Sequence, residues 1–199
     1  MVSYKERAKR QREIEILKVA SDLMYERGFV NFNMDELAEA VGVSKPTLYQ
    51  HFASKDELLV KVVLQGHEEI EALFDAPLQG TALERIETIM RMMLQRRHIA
   101  KGGMANFGLI FPILKASPLF NEHQERLRNR LYALVETAKQ NGEIVATLPT
   151  PLAVSAMFVL QGSVSEHHMP ERANWTEEET AQMAEHVIQL YLRGITPRS

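Results

Sequence analysis

Six residues in one short stretch carry the chemistry that stands out: Lys45, Pro46, Thr47, Tyr49, Gln50 and His51. Around and between them Leu37, Ala38, Val41, Val43, Leu48 and Phe52 recur at the spacing of an inward helical face, so the six are left to share the outward one. An ammonium, an amide and a phenol exposed together are what a helix needs to read base edges in a DNA major groove. Lys45 can donate to guanine O6 and N7, and Pro46 and Tyr49 can touch a thymine methyl.

Other groupings fall short of a site. Gln161-Gly162-Ser163-Val164-Ser165 lacks the second glycine of a nucleophile elbow and no strand precedes it. His67 and Glu71 can share a helix face, but two ligands do not make a metal site. His167 and His168, near Glu166 and Glu171, diverge by about 100° if helical. The histidines are scattered at 51, 67, 98, 123, 167, 168 and 186, and no glycine loop suited to phosphate occurs. No enzyme, metal or cofactor is therefore expected.

The elements that must present the outward face are spelled locally. Asn33 is a good N-cap with Glu36 three positions on, and a helix follows from Met34 to Val41. Gly42 falls where the chain leaves that helix through a left-handed conformation. Ser44 caps a second helix, Lys45 to Phe52, with Pro46 in its first turn, where a missing N–H costs nothing. Ser54 and Glu57 then open a third. The stretch from Asn33 to Lys55 is a helix-turn-helix.

Composition limits the alternatives. With 199 residues, 45% of them apolar, the chain can bury a real core in one large or two small domains. It has no cysteine, which removes disulfides and thiol chemistry. It has no apolar run long enough to span a membrane and no cleavable leader pattern, so a cytoplasmic location is expected. The formal charge is −3, yet the first twelve residues set Lys5, Arg7, Lys9, Arg10 and Arg12 against Glu6 alone, a local +4. From Gly42 to Lys55 there are two lysines and no acid. Such a layout fits a small DNA footprint on an acidic body. Residues 1–11 read as disordered or as a frayed helix extension, and both a solvated tail and a phosphate- or minor-groove-contacting arm remain open.

The run from Ile16 to Leu58 resembles the N-terminal domain of the TetR/AcrR family of bacterial transcriptional regulators. The marks appear in order: Ile16-Leu17, Ala20, Leu23, Gly28-Phe29, Met34, Leu37-Ala38, Gly42-Val43-Ser44-Lys45, Thr47-Leu48-Tyr49, His51-Phe52 and Ser54-Lys55. Pro46 stands where Gly is frequent in that family, and Asn33 where Thr or Ser is usual.

The rest of the chain reads as helices separated by breakers. An amphipathic helix from Arg12 through Ile16, Leu17, Ala20, Leu23 and Met24 closes at Gly28. The helix opened at Ser54 runs through Leu73 and stops at Pro77 and Gly80. Thr81 with Glu84 starts another, ending before Gly102-Gly103. Met104 to Lys115 is apolar almost all round, which predicts burial, with a kink or break at Pro112. Helices start at Ser117-Pro118, Thr150-Pro151 and Thr176, the last ending at Gly194. The expected fold is all-α with about nine helices: an arm and three-helix DNA-binding head over residues 1–55, and a helical ligand-binding and dimerisation body over 56–199. A helix from about 55 to 75 links the two.

The resemblance implies a sequence-specific DNA-binding regulator, here a homodimeric repressor on a palindromic operator of double-stranded DNA, released by a small hydrophobic effector. It places Asn33, Thr47, Tyr49, His51 and Lys55 on phosphates and Lys45, Pro46, Tyr49 and Gln50 toward the major groove, with Ser44 capping the reading helix. Its ligand pocket would draw on Met90, Met93, Phe107, Ile110, Phe111, Phe120, Tyr132, Phe158 and Gln161. Its dimer face would use the last two long helices, through Ala153, Met157, Leu160, Val164, Met183, Val187 and Tyr191. A TetR-fold protein whose body recruits a protein partner instead of a ligand is the competing expectation.

Overall fold

The computed structural model describes residues 3–76, 80–95, 103–163, 169, 171 and 174–197, the side chains of Tyr25, Gln95, 103–107, 161–163 and Glu177 excepted. Among the described residues there are nine α-helices and no strand: α1 (Tyr4–Asn31), α2 (Met34–Val41), α3 (Lys45–His51), α4 (Lys55–Asp75), α5 (Ala82–Gln95), α6 (Gly103–Ala116), α7 (Pro118–Gln140), α8 (Thr150–Ser163) and α9 (Glu177–Ile195). The number of helices is that expected. No helix among the described residues is long and apolar enough to cross a membrane.

Most boundaries follow from caps. Asn33, Ser44, Ser54, Ser117 and Thr176 each accept a hydrogen bond from the amide three residues on, which satisfies a helix-start donor that otherwise has no partner. Gly42 leaves α2 at φ 74°, where a side chain would be strained. Three elements settle or depart from the sequence expectation. First, α1 begins at Tyr4, so of the two expectations for residues 1–11 it is the helix extension that the structure shows from there on. Ser3 and Glu6 form a reciprocal capping box, and Lys9–Glu13 and Arg12–Glu15 pair one turn apart, so charge that suggested disorder instead stabilises helix. Second, Gly28, at φ 74°, interrupts the helical backbone where the sequence closes the helix, but a further turn follows to Asn31. Third, α6 continues through Pro112 and is not buried all round: Ile110 and Leu114, one turn apart, are buried, while Leu109, Phe111 and Pro112 are exposed. Pro77 and Gly102 lie outside the described residues.

Two hydrophobic cores organise the packing. One gathers Ile16, Ala20, Met24 and Phe29 of α1, Leu37 and Ala38 of α2, Leu48 of α3, and Phe32 and Phe52 just after α1 and α3. It also takes Leu58, Leu59, Val60, Val62 and Leu64 of α4, Ile110 and Leu114 of α6, and Phe120 of α7. The other holds Ile70 of α4, Ile86, Ile89, Met90 and Met93 of α5, Leu127, Leu131 and Val135 of α7, Met157 of α8, and Val187, Ile188 and Tyr191 of α9. Helices α4 and α7 each contribute to both cores.

Polar ties reinforce the seams. Arg126 Nε donates to Glu71 Oε1 at 2.8 Å and Arg130 to Asp75 at 2.8 Å, joining α7 to α4. Arg91 bridges Glu87 on its own helix and Glu185 on α9, at 2.6 and 3.0 Å. Buried Tyr191 donates its hydroxyl to the Ala153 carbonyl at 3.0 Å, fixing α9 against α8.

Candidate nucleic-acid interface

The candidate surface is built on α3, which is held from beneath by Leu48 and Phe52, both buried in the head core. That anchoring turns Lys45, Pro46, Tyr49 and Gln50 outward, and all four are exposed. At the helix start, Ser44 Oγ accepts the Thr47 amide at 3.2 Å and meets the Thr47 hydroxyl at 2.8 Å. Asn33 Oδ1 accepts the Glu36 amide at 2.8 Å. The oxygens of Asn33 and Ser44 are thus occupied in capping, and Thr47 is half-buried.

The charged members are partnered within the head. Lys45 Nζ lies 2.8 and 3.0 Å from the two carboxylate oxygens of Asp35 on the first turn of α2. That hydrogen bond and the Asp35 charge raise the Lys45 pKa above its ordinary value. His51, the last residue of α3, is half-buried with Nδ1 3.3 Å from Glu13 Oε1 on α1. Lys55, which the resemblance assigns to a phosphate, donates to the Val30 carbonyl at 3.2 Å, its ammonium 4.5 Å from the centre of the Phe29 ring and 5.7 Å from that of Phe32. Burial pushes its pKa below the usual lysine value. Asp35, Glu13 and Val30, the groups that restrain these side chains, were not singled out from sequence. Each lies 10 or more positions from its partner, so only the folded helix-turn-helix brings them together.

Residues 16–62 match the family described as Bacterial regulatory proteins, tetR family. Over these residues the chain is similar to the TetR family. The HTH-type transcriptional activator FasR of Mycolicibacterium smegmatis is 49% identical over 57 residues, 29% of this chain and 26% of that protein, so the chain spans about a quarter of FasR. The HTH-type transcriptional regulator UidR of Escherichia coli K12 is 26% identical over 144 residues, 69% of this chain and 71% of that one. A solved TetR-family regulator from Agrobacterium tumefaciens shares the fold with a TM-score of 0.67, covering 95% of this chain and 100% of that chain at 20% identity. The family match and the relatives, which are transcriptional regulators, support a DNA-binding transcriptional regulator of TetR type.

The body residues named from sequence are divided by the fold. Met90, Met93 and Tyr132 lie in or against the body core, whereas Ile110 and Phe120 lie in the head core. Phe111 and Phe158 are exposed. The side chains of Phe107 and Gln161 lie outside the described residues, as does Val164. On α8 and α9, Ala153, Met157, Val187 and Tyr191 are buried within the single chain, and Leu160 and Met183 are half-buried. The apolar residues that reach solvent on those helices are Leu152 at 57% exposure, Phe158, Val159 at 69% and Leu190 at 63%. Among the described residues no cluster of three or more His, Asp or Glu suited to a metal occurs. His167 and His168 lie outside them.

Proposed function

We propose that this regulator is a homodimeric, cytoplasmic repressor that grips a palindromic operator through α2 and α3 and lets go when a small hydrophobic ligand occupies its body. The observation that carries the reading is the sharing of α7 between two cores. Phe120, at its start, is a plug of the head, and Leu127, Leu131 and Val135, further along, are the wall of the body. A ligand that displaces this wall, seated against Met90, Met93 and Tyr132, moves the plug with it and so tilts the head. Because α4 is tied to α7 by Arg126–Glu71 and Arg130–Asp75, both links to the head shift together. Methionine and aromatic side chains suit a flat apolar ligand. A coupling of about 1 to 3 kcal/mol cuts DNA affinity roughly 5- to 150-fold.

Dimerisation supplies what one short reading helix lacks, since two heads about 34 to 36 Å apart meet successive turns of the duplex. The face for it is Leu152, Val159 and Leu190, which leave large apolar surface in water on the helices that close the body. A partner-recruiting role is favoured by a separate observation, the exposed apolar flank of α6 at Leu109, Phe111 and Pro112.

The test is fluorescence-anisotropy titration of the chain's own upstream DNA with and without a panel of flat hydrophobic aromatic and cationic compounds. One dimer per site, released by some compound, is the expected result. Tight binding that no compound disturbs refutes ligand gating and moves weight to the partner reading.

A further inference from the structure

The helix-turn-helix brings few cations of its own, since from Gly42 to Lys55 the only lysines are Lys45 and Lys55. Lys45 shares an exposed ion pair with Asp35, and Lys55 is turned into the head against Val30 and Phe29. Non-specific attraction to a duplex nevertheless rests on cations that replace the counterions of phosphates. The cations are on the first turns of α1, where Lys5, Arg7, Lys9, Arg10 and Arg12 are all exposed.

Their arrangement is fixed because these turns are helical. The Ser3 amide donates to Glu6 Oε2 at 2.7 Å and the Glu6 amide to Ser3 Oγ at 3.2 Å, and these bonds hold the Glu6 carboxyl below its ordinary pKa. At about 100° per residue, Lys5, Lys9 and Arg12 form one stripe that continues into Ile16 and Ala20, the fully buried face of α1. Arg7 and Arg10 fall on roughly the opposite side. Glu13, which meets the C-terminal end of α3 through His51, flanks the stripe one turn after Lys9. The stripe therefore leaves the head beside the end of the reading helix. From Glu13 to Lys5 it advances about 12 Å at ~1.5 Å per residue, the length of three or four base-pair steps.

We infer that the α1 extension is a preformed rail for DNA phosphates flanking the base-read segment, with Lys5, Lys9 and Arg12 as the contacting residues and Arg7 and Arg10 facing away. The ion pairs Lys9–Glu13, at 3.8 Å, and Arg12–Glu15, at 3.1 Å, are exposed and weak, so a phosphate replaces the carboxylate at little cost. A lipid surface is a poor match, because between Tyr4 and Arg12 the only apolar residues are Tyr4 and Ala8. The inference rests on the DNA-binding reading and adds to it the extent of the footprint.

The experiment uses the full chain and a duplex that it selects from a random-sequence pool, with long flanks or trimmed to the base-read core. On the long duplex, replacing Lys5, Lys9 and Arg12 together by Ala, a good helix former, is expected to lower the salt slope by about 2.7 per bound head, at ~0.9 per phosphate. Between 50 and 200 mM salt the unsubstituted protein then loses about 40-fold more affinity per head than the variant. On the trimmed duplex the two are expected to converge. Replacing Arg7 and Arg10 by Ala is expected to leave the slope within about 0.5 of its original value. Ala8→Pro, which keeps every charge but breaks the helix, is expected to lose most of the flank contribution. An unchanged slope for the triple variant, an equal fall for Arg7 and Arg10, or full flank affinity in Ala8→Pro overturns the rail. If the unsubstituted chain selects no duplex at all, it is the DNA-binding reading that fails.

Discussion

Replacing Lys55 with Met separates two roles for a lysine at the start of α4. In the structure the ammonium closes α1 onto α4 by donating to the Val30 carbonyl at 3.2 Å and lying 4.5 Å from the centre of the Phe29 ring. Methionine keeps most of the apolar stem and removes only the charge and its donors. A charge-assisted hydrogen bond contributes about 1.5 to 3 kcal/mol when sheltered, and the ring contact about 0.5 to 1 kcal/mol when partly exposed. Two effects reduce the sum. Val30 is more than half exposed, so its carbonyl regains water, and the charge is already disfavoured by burial, as its lowered pKa records. A net loss of about 1 to 2 kcal/mol remains, and at roughly 2 to 4 °C per kcal/mol for a chain of this size Tm falls by about 2 to 8 °C. Differential scanning fluorimetry measures that fall, and anisotropy titrations over a salt series measure the DNA side. The slope of log affinity against log salt is expected to stay within about 0.3 of the original. A slope lowered by about one, with Tm unchanged, refutes the clamp and restores Lys55 to a phosphate.

Further outcomes follow from other contacts. Asp35→Asn releases Lys45, and the expected result is stronger binding to unrelated duplexes with a salt slope raised by about one, read in the same titrations. Tyr191→Phe removes the bond to the Ala153 carbonyl in the body core and is expected to cost about 0.5 to 1.5 kcal/mol in urea unfolding, with DNA selectivity unchanged. Val159→Glu places a charge on the most exposed apolar residue of α8 and is expected to shift sedimentation from dimer to monomer while the thermal midpoint of the body holds. Acid is expected to loosen the body. Hydrogen bonds from Arg91 to Glu185 and from Thr150 to Glu136 hold both carboxyls below the usual 4.5. Their stabilisation is therefore complete above that value and is lost as pH falls through the lowered folded-state values. Thermal melts from pH 6 downward follow it, and a midpoint that rises on acidification contradicts the sign.

The head was legible because its signals are local. Asn33, Ser44 and Ser54 each cap a helix three residues away, and Gly42 turns where only glycine turns freely, so neighbouring letters suffice. What escaped the sequence is set by neighbours distant in the chain. The end of a lysine side chain goes where the fold offers a carbonyl, and for Lys55 that carbonyl is 25 positions away. In α8 apolar residues occur on more than one side, and spacing alone does not say which side the body claims. Ala153 and Met157 went inward, while Leu152 and Val159 stayed in water. For α6 the apolar count suggested full burial, yet only the stripe of Ile110 and Leu114 found a partner surface. In the first turns of α1, a dense run of charge left a solvated tail open, but the reciprocal Ser3–Glu6 cap and the pairs Lys9–Glu13 and Arg12–Glu15 hold it helical.

The shared head core also limits how this protein can be cut and recombined. A fragment ending where the family match ends, at residue 62, would carry Leu58, Leu59 and Val62 without the side chains of Ile110, Leu114 and Phe120 that cover them. A DNA-reading module transplanted from this chain onto a foreign sensor must therefore bring α6 and the first turn of α7, or receive equivalent apolar plugs from its new host. The unit of inheritance in such a chimera is a set of contacts, and its boundary runs through the middle of the chain as well as near the front.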